Sequence, residues 1–195
     1  MMPLTIEQAP RLATFLRGMD ALVERHRAEA ELLNGCEPLL KELVAVDDWL
    51  PATHAAPHPQ FYQQYALHVD PLNRYSVVSF VWGPGQRTPV HDHGVWGVIG
   101  MLRGAERSAG FSLQDGRLIA TGSEDILKPG DTSRVSPAIG DIHQVSNVYA
   151  DRVSISVHVY GTDIGKQSRH VYDPVAGTAK PFISGYAAPV LEAGA

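Results

Sequence analysis

The sequence has one cysteine, no long apolar run and no excess of basic residues. A single cysteine, Cys36, excludes an internal disulfide and is typical of a protein from a reducing compartment. No stretch reaches the length of about 20 apolar residues that spans a bilayer, and the first residues lack the basic and apolar regions of a secretory signal. The formal net charge of −5 gives no electrostatic reason to expect nucleic acid or an anionic membrane as a partner. We therefore expect a cytoplasmic location and neither of those partners.

The N-terminal quarter, residues 1–50, is predicted to be helical. Apolar residues at three- and four-residue spacing form one stripe over residues 12–23. A second, shorter helical pattern covers residues 39–44 after Pro38, and Gly35 is interpreted as the break between the two helices. Each pattern has an apolar face, so the helices are expected to pack against the rest of the chain.

Short β-rich runs separated by Gly, Pro, Asp and Asn replace the helical patterns from about residue 65. Strands are predicted near residues 75–82, 95–102, 106–113, 117–120, 132–135, 142–145 and 153–160. Asp115-Gly116 supplies the positive φ angles of a tight hairpin turn. Many short strands at this spacing are typical of a β-sandwich or small barrel. A length of 195 residues suits one domain, so we predict a single mainly β domain over 1–195, with the helices outside a barrel core at 62–182.

Two histidines one residue apart, His91 and His93, are the strongest functional signal. Side chains alternate along an extended chain, so both imidazoles point to the same side and can converge on one ion. An isolated pair of this kind is more typical of a protein surface. Here a third histidine, His143, follows about 50 residues later in a second Gly- and Pro-rich segment.

These two segments resemble the two motifs of the cupin superfamily. The first has Gly85, His91, His93, Gly97 and Gly104 in the usual order, and the second has Gly130, Pro137, Gly140, His143 and Asn147 with two gaps that are one residue longer than usual. Gly97 stands where the first motif usually carries a ligating glutamate. The resemblance therefore implies a jelly-roll barrel whose metal ligands are His91, His93 and His143, without a carboxylate.

A centre of three neutral imidazoles leaves the charge of a divalent metal uncancelled and several coordination positions open. An anionic ligand such as a thiolate would bind strongly there. The same ligands also suit zinc, and non-haem Fe(II) oxygenases more often use two histidines and one carboxylate. The ligand set alone does not choose the metal.

The run from Ser154 to Tyr160 alternates strictly between polar and apolar residues. One interpretation is a strand with an ordinary solvated polar face. However, that face carries no charge and orders a hydroxyl, an imidazole and a phenol at Ser156, His158 and Tyr160. Such a row can form a hydrogen-bond relay inside a barrel and hold the phenol at a metal site.

With these residues the chain resembles the cysteine dioxygenase family of thiol dioxygenases, from about residue 62 to residue 169. The resemblance implies one Fe(II) per chain on the three histidines and a small substrate bound through its thiolate. Both atoms of O2 end on sulfur, which gives a sulfinate. Ser156, His158 and Tyr160 match the family's outer-shell triad, which places Tyr160 near bound substrate and O2.

Two departures from the mammalian-type enzymes narrow the resemblance. Gly97 stands where those enzymes carry a cysteine that crosslinks to the tyrosine, and Gln64 stands where they carry the arginine that binds the substrate carboxylate. The chain is thus similar to the bacterial glutamine-type branch that includes 3-mercaptopropionate dioxygenase, where an arginine matched by Arg169 is implied to hold the carboxylate. Without the resemblance, Arg169 would be interpreted as a surface residue that pairs with Asp163 or Asp173.

The resulting hypothesis is a dioxygenase for a small thiol carboxylate, with 3-mercaptopropionate favoured and cysteine as the alternative. Tyr62 is a candidate for the pocket wall, and Trp96 is a candidate for either the wall or the core. The partners implied are the thiol and O2, with no obligate protein partner. Two other classes stay open, a zinc or manganese cupin isomerase and a cupin module that binds a ligand without catalysis.

Overall fold

The computed structural model describes residues 9–188, in which two long helices precede eleven strands. The helices are α1 (Pro10–Arg25) and α2 (Glu29–Val44), followed by a 3-10 turn (Ala52–His54); the strands are β1 (Gln63–Val69), β2 (Ser76–Trp82), β3 (Val90–His91), β4 (Gly97–Arg103), β5 (Glu106–Gln114), β6 (Arg117–Leu127), β7 (Thr132–Val135), β8 (Ile142–Asn147), β9 (Ser154–Tyr160), β10 (Arg169–Tyr172) and β11 (Ala179–Phe182). Neither helix within this described part has the length and apolar character needed to cross a membrane.

The strands form two antiparallel sheets. The first has the order β1-β2-β9-β4-β7 and the second the order β11-β10-β3-β8-β5-β6. Consecutive strands alternate between the sheets in several places, as in a jelly roll, and the helices pack on the outer face of the first sheet. The predicted fold class, a mainly β cupin barrel with N-terminal helices outside, is confirmed.

The first sheet is buried on both faces. Ile155, Val157 and Val159 of β9 lie in one apolar cluster with the buried stripes of α1 and α2. Every residue of β2 and β9 is buried, because the helices cover the outer face and the second sheet covers the inner one. Gly100 of β4 allows a close approach, since a Cβ there would lie 2.9 Å from Cγ of Leu40 in α2. Polar side chains on the inner face are therefore shielded from solvent.

The predicted break between two short helical patterns is wrong, because α2 runs without interruption through Gly35 and Pro38. Packing explains the glycine: a Cβ on Gly35 would lie 2.2 Å from Cδ1 of Leu22, so glycine lets α1 and α2 approach closely. On the other side, Glu37 accepts hydrogen bonds from Thr132 and Arg134 of β7. These tertiary contacts override the local helix-breaking tendency of the two residues.

All seven predicted strands are present, and the Asp115-Gly116 hairpin is confirmed by φ angles of 50° and 76° and by pairing of Gln114 with Arg117. The strand that begins at Arg117 is longer than predicted and continues to Leu127, since its polar stretch pairs with β5 although it has no apolar pattern. Four strands were not predicted, namely β1, β3, β10 and β11. β3, β10 and β11 have only two to four residues, too few for a period of two to emerge.

Candidate metal centre and its surroundings

The three histidines singled out in the sequence lie together inside the barrel. His91 ends β3 directly opposite His143 of β8, and His93 follows two residues later. One potential ligand atom from each residue lies within 4.8 Å of the others, and the ring centroids are 4.8 to 4.9 Å apart. All three side chains are buried. Sheet pairing therefore joins two segments that are about 50 residues apart along the chain.

Each ring is fixed by a partner at Nδ1. His91 is hydrogen-bonded to the carbonyl of Pro89 at 3.1 Å, His93 to the carboxylate of Asp141 at 2.9 Å and His143 to the hydroxyl of Ser108 at 3.0 Å. This leaves Nε2 of each ring for a ligand, and Nε2 of His93 is buried with no hydrogen-bond partner in the described residues. Oriented imidazoles with a second partner at Nδ1 are the usual arrangement around a protein-bound divalent metal.

The protonation states also suit a cation. Burial lowers the pKa of His91 to about 3 and lowers the pKa of His143 well below its usual value, so both rings are neutral near pH 7. Burial opposes ionisation of Asp141, but hydrogen bonds from the ring and backbone of His93 and from Gly94 bring the pKa of that carboxyl below its ordinary value. Asp141 and Ser108 were not predicted as site residues; the only sequence signal is that Asp141 precedes His143 by two residues in the second motif.

Asp92, between the two paired histidines, points the opposite way. Its carboxylate accepts hydrogen bonds from the phenol of Tyr172 at 2.7 Å and from the backbone of His170 at 2.7 Å. Both partners belong to β10, the strand that begins at Arg169. Because side chains alternate along this segment, the imidazoles of His91 and His93 face inward and Asp92 faces β10. Asp92 therefore connects the two histidines to the strand that begins at Arg169.

Three polar side chains of β9, those of Ser156, His158 and Tyr160, form a continuous hydrogen-bonded row. Oγ of Ser156 lies 2.8 Å from Nε2 of His158, and Nδ1 of His158 lies 2.8 Å from the phenol oxygen of Tyr160. Nε1 of Trp82 donates to Oγ of Ser156 at 3.1 Å. The ring of Tyr160 stacks on His93, with centroids 5.3 Å apart. The interpretation of this face as solvated is wrong, because all of β9 is buried.

Gly97 lies directly beside the phenol ring of this row. It pairs with Tyr160 across β4 and β9, and a Cβ at this position would lie 2.8 Å from Cδ1 of the tyrosine. Any larger residue would have to displace the ring or Val135, which is 3.0 Å away. Cys36 lies elsewhere, buried in α2 among the helices.

Arg169 is a buried arginine without an ion pair in the described residues. The residue is 3% exposed, one terminal nitrogen donates to Ser184 at 2.8 Å, and Nε has no hydrogen-bond partner within residues 9–188. Its guanidinium carbon lies 4.6 Å from the centre of the Phe182 ring. Asp163 pairs with Lys166 instead, and Asp173 accepts backbone hydrogen bonds from Val175 and Ala176. The surface interpretation of Arg169 is therefore wrong.

Electrostatic coupling links Arg169 to the histidine group. Arg169 is buried, and the loss of solvation lowers the pKa of its guanidinium. Its positive charge in turn acts on the pKa values of Tyr160 and His91, although burial is the larger cause of both shifts. The geometry agrees, because Arg169 begins β10 and Val171 of that strand pairs with His91 of β3.

The other residues predicted for the site lie on different faces of the first sheet. Gln64 of β1 is opposite Phe80, and its Oε1 is buried with no hydrogen-bond partner in the described residues. Tyr62 stacks on Trp82 with ring centroids 5.1 Å apart, on the inner side. Trp96 belongs to the apolar cluster shared with the helices, so its place is in the core.

Glu106 is a buried acid that was not predicted as a site residue. It begins β5, is 1% exposed, and its Oε2 lies 4.0 Å from Nε2 of His158. Burial raises the pKa of this carboxyl to about 7, although a hydrogen bond from Ser156 opposes the shift. No sequence signal could have identified it, because a glutamate at a strand end is ordinarily exposed.

A jelly-roll barrel with an inward-facing group of three histidines defines a cupin-type protein with a candidate metal centre. The family described as "Cysteine dioxygenase type I" matches residues 40–173, which is more than half of the chain, and the chain belongs to this family. Cysteine dioxygenases are iron-dependent, and the buried histidine group is compatible with iron.

Several solved structures are similar to the barrel. An uncharacterised conserved protein with a double-stranded β-helix domain from Klebsiella pneumoniae is 20% identical over 57% of this chain and 80% of its own, with a TM-score of 0.46. The protein TT1209 from Thermus thermophilus is 21% identical over 58% of this chain and 95% of its own, with a TM-score of 0.44. A cupin 2 domain-containing protein from Halorhodospira halophila is 16% identical over 55% and 69%, with a TM-score of 0.42.

Proposed function

We propose that this protein is a non-haem Fe(II) thiol dioxygenase that converts a small thiol carboxylate and O2 into the sulfinate, with 3-mercaptopropionate favoured over cysteine. The reaction adds both oxygen atoms to the thiolate sulfur, R–S⁻ + O2 → R–SO2⁻, and needs no further reductant. The observation that carries the proposal is the buried Arg169, which has no ion pair within residues 9–188 and begins β10, the strand that pairs with β3 at His91. A guanidinium in that setting favours an anionic ligand.

In this proposal one Fe(II) per chain is held by His91, His93 and His143. The three neutral rings contribute no negative charge, so an anionic thiolate complements the cation. Bound Fe(II) supplies the redox chemistry through which O2 reacts with sulfur. Asp141 and Ser108 orient two of the rings through Nδ1 and keep Nε2 directed at the ion.

The far end of the substrate is assigned to Arg169 and Gln64. A thiol carboxylate bound as its thiolate carries two negative charges, which match one divalent cation and one guanidinium. Gln64 offers amide donors and an acceptor but no charge that would pair with the ammonium group of cysteine. A thiol acid without the α-amine is therefore favoured.

The row of Ser156, His158 and Tyr160 is assigned to orienting bound species and holding a proton. The phenol of Tyr160 lies against His93 and is linked to the imidazole of His158, so its hydroxyl has a fixed direction. Tyr62 forms part of the pocket wall through its stacking on Trp82. These aromatic rings keep water away from the reacting groups.

The test is O2 consumption and product analysis on protein loaded anaerobically with Fe(II). We expect uptake of one O2 per thiol, formation of the sulfinate, and a higher kcat/KM for 3-mercaptopropionate than for cysteine. A higher kcat/KM for cysteine would reject the preference for 3-mercaptopropionate but would leave the assignment as a thiol dioxygenase intact. Turnover that appears only with zinc or manganese on a hydroxy or keto acid would favour an isomerase, and ligand binding without any turnover would favour a binding module.

The wider expectations belong to the same proposal. They are one cupin domain over 1–195, a cytoplasmic location, and no partner other than the thiol and O2. Fractionation of cells and the mass of the purified protein in solution would test the location and the absence of an obligate partner.

A further inference from the structure

Glu106 lies at the inner end of the β9 row, away from the three-histidine group. Its side chain is 2% exposed, and its Oε2 lies 4.0 Å from Nε2 of His158 with no hydrogen-bond partner in residues 9–188. An ionised carboxylate without a cationic partner is costly to bury. The acid is therefore easily neutralised, in agreement with the raised pKa described above.

The surroundings of Glu106 contain few groups that could compete for its proton. Its sheet neighbours are Leu127 of β6 and Asn147 of β8, which carry no charge. From β9, the titratable groups that face it are His158 and, farther away, Tyr160, whose pKa its charge raises. From β2, the nearest member of the row is Trp82, an uncharged donor to Ser156. In the described part of the chain, Glu106 is thus coupled mainly to the row itself.

The hydrogen bonds along the row can run in either of two directions, because the hydroxyl of Ser156 has only one hydrogen to donate. Its oxygen accepts from Trp82 and lies 2.8 Å from Nε2 of His158, while the carboxylate of Glu106, whose Oε2 lies 4.0 Å from the same nitrogen, is the second group that can accept its hydrogen. His158 is neutral and carries one N–H, since burial lowers its pKa well below the usual value. The choice made by Ser156 therefore determines which imidazole nitrogen carries that hydrogen.

Each direction leaves the phenol in a different state. When Ser156 donates to His158, Nδ1–H of the imidazole donates to Tyr160. The O–H of Tyr160 is then available to the three-histidine group. When Ser156 donates to an ionised Glu106, Nε2–H of His158 donates back to Ser156, and Nδ1 accepts the hydrogen of Tyr160. The phenol hydrogen is then directed away from the three histidines.

We propose that Glu106 is a positioning residue that sets the direction of the Ser156–His158–Tyr160 row, so that its neutral form presents the Tyr160 hydroxyl hydrogen to the metal side and its ionised form withdraws it. This role rests on the proposed dioxygenase function, because it gives the phenol a donor task towards bound substrate or O2. Glu106 itself touches neither.

The direct test is the tautomer of His158 in full-length protein loaded with Zn²⁺, which is diamagnetic and keeps the histidine centre filled. Histidine-selective 15N NMR, assigned with a His158→Asn variant, reports which ring nitrogen carries hydrogen. We expect Nδ1–H at low pH and Nε2–H at high pH, with a midpoint that matches loss of the protonated carboxyl infrared band of Glu106. A tautomer that does not change while that band titrates would overturn the proposal.

A Glu106→Gln variant supplies the matched comparison, with Glu124→Gln as control because Glu124 is an exposed acid of β6 paired with Arg107. In Glu106→Gln the His158 tautomer should be the same at every pH, whereas Glu124→Gln should behave as the parent. An unchanged pH dependence in Glu106→Gln would reject the role. If this variant does not fold, the titration of the parent protein still decides.

Turnover separates this inference from the function on which it rests. In the iron-loaded parent, kcat for a thiol carboxylate should fall about tenfold per pH unit above the midpoint, with little change in KM, and Glu106→Gln should lack this decline. A decline retained in Glu106→Gln contradicts the inference. Absence of turnover with every thiol would reject the proposed dioxygenase function. The tautomer of His158 would then still test whether Glu106 sets the direction of the row.

Discussion

Two groups in the barrel interior, a histidine end and an arginine end of the candidate site, differ in how their polar atoms are partnered. At the histidine end, formed by His91, His93 and His143, a protein group holds Nδ1 of every ring. At the arginine end, formed by Arg169 and Gln64, Nε of the guanidinium and Oε1 of the amide are buried without hydrogen-bond partners in the described residues.

This difference indicates two kinds of occupant. Rings that are already oriented lose little freedom when they bind an ion, which favours a tightly held metal. A guanidinium with unused donors favours a ligand that supplies the acceptors and then leaves, such as a substrate carboxylate. The Ser156–His158–Tyr160 row contacts the histidine group through Tyr160 and approaches Glu106 through His158. Substitutions at the two ends should therefore have different effects.

The largest effect is expected at the histidine end. His143→Ala removes one of three ligands, and the loss of metal affinity should exceed the roughly 100-fold upper range seen for outer-shell changes. Iron retained after anaerobic loading and desalting measures it. His26→Ala, on a partly exposed histidine of the helical region paired with Glu31, is the control. Full iron content in His143→Ala would remove this residue from the ligand set.

The next effect concerns the stability contributed by Glu106. Its folded pKa of about 7 lies above the ordinary value of 4.5, so folding favours the protonated acid. The associated stability is complete below about pH 4.5, falls as pH rises through 7, and is absent above it. As pH rises from about 5 to about 9, the parent should lose this stability and Glu106→Gln should not. The difference in free energy of unfolding should therefore shift in favour of the variant by on the order of 2–3 kcal/mol. Urea denaturation at both pH values checks this, and an equal difference at the two would contradict it.

At the arginine end, Arg169→Ala should raise KM for thiol carboxylates by about 10- to 100-fold, because a charge-assisted hydrogen bond contributes roughly 1.5–3 kcal/mol. Cysteamine, which has no carboxylate, should be affected far less. Steady-state kinetics with both substrates, and with Arg152→Ala as an exposed control, separates anchoring from general damage. Equal losses for the two thiols would reject Arg169 as the anchor.

The smallest effect is expected for Asp141→Asn. The amide keeps the shape of the side chain and one acceptor but loses the negative charge next to His93, so metal affinity should fall by about tenfold. Competition with a metal-binding dye measures the change, and Asp151→Asn on the surface is the control. An unchanged affinity would mean that Asp141 serves the backbone turn at Gly94 and not the metal.

Much of the inner site could be predicted because its signals are local. The one-residue spacing of His91 and His93 and the alternation from Ser154 to Tyr160 follow from the period of an extended chain. The second motif added His143 because its glycine and histidine stand at a fixed spacing. The helical stripe at residues 12–23 predicted an apolar face, and α1 buries that face.

The errors share a tertiary origin. Gly35 and Pro38 are helix breakers by propensity, yet contacts of α2 with α1 and β7 keep the helix continuous. Strand β3 has two residues and is defined only by its partners β8 and β10. Neither the neighbours of a glycine nor the partners of a short strand can be derived from local pattern.

Which side chains share a face could be derived from the residue order alone, since the geometry of an extended chain sets that period. Which faces are buried depends on the folded chain, because burial requires another part of the molecule to cover them. The helices and the second sheet enclose β9 and so turn a row that could have been solvated into an interior relay. The same enclosure removes solvent from Glu106 and Arg169, and loss of solvation is what gives an ordinary glutamate and an ordinary arginine their distinctive chemistry here.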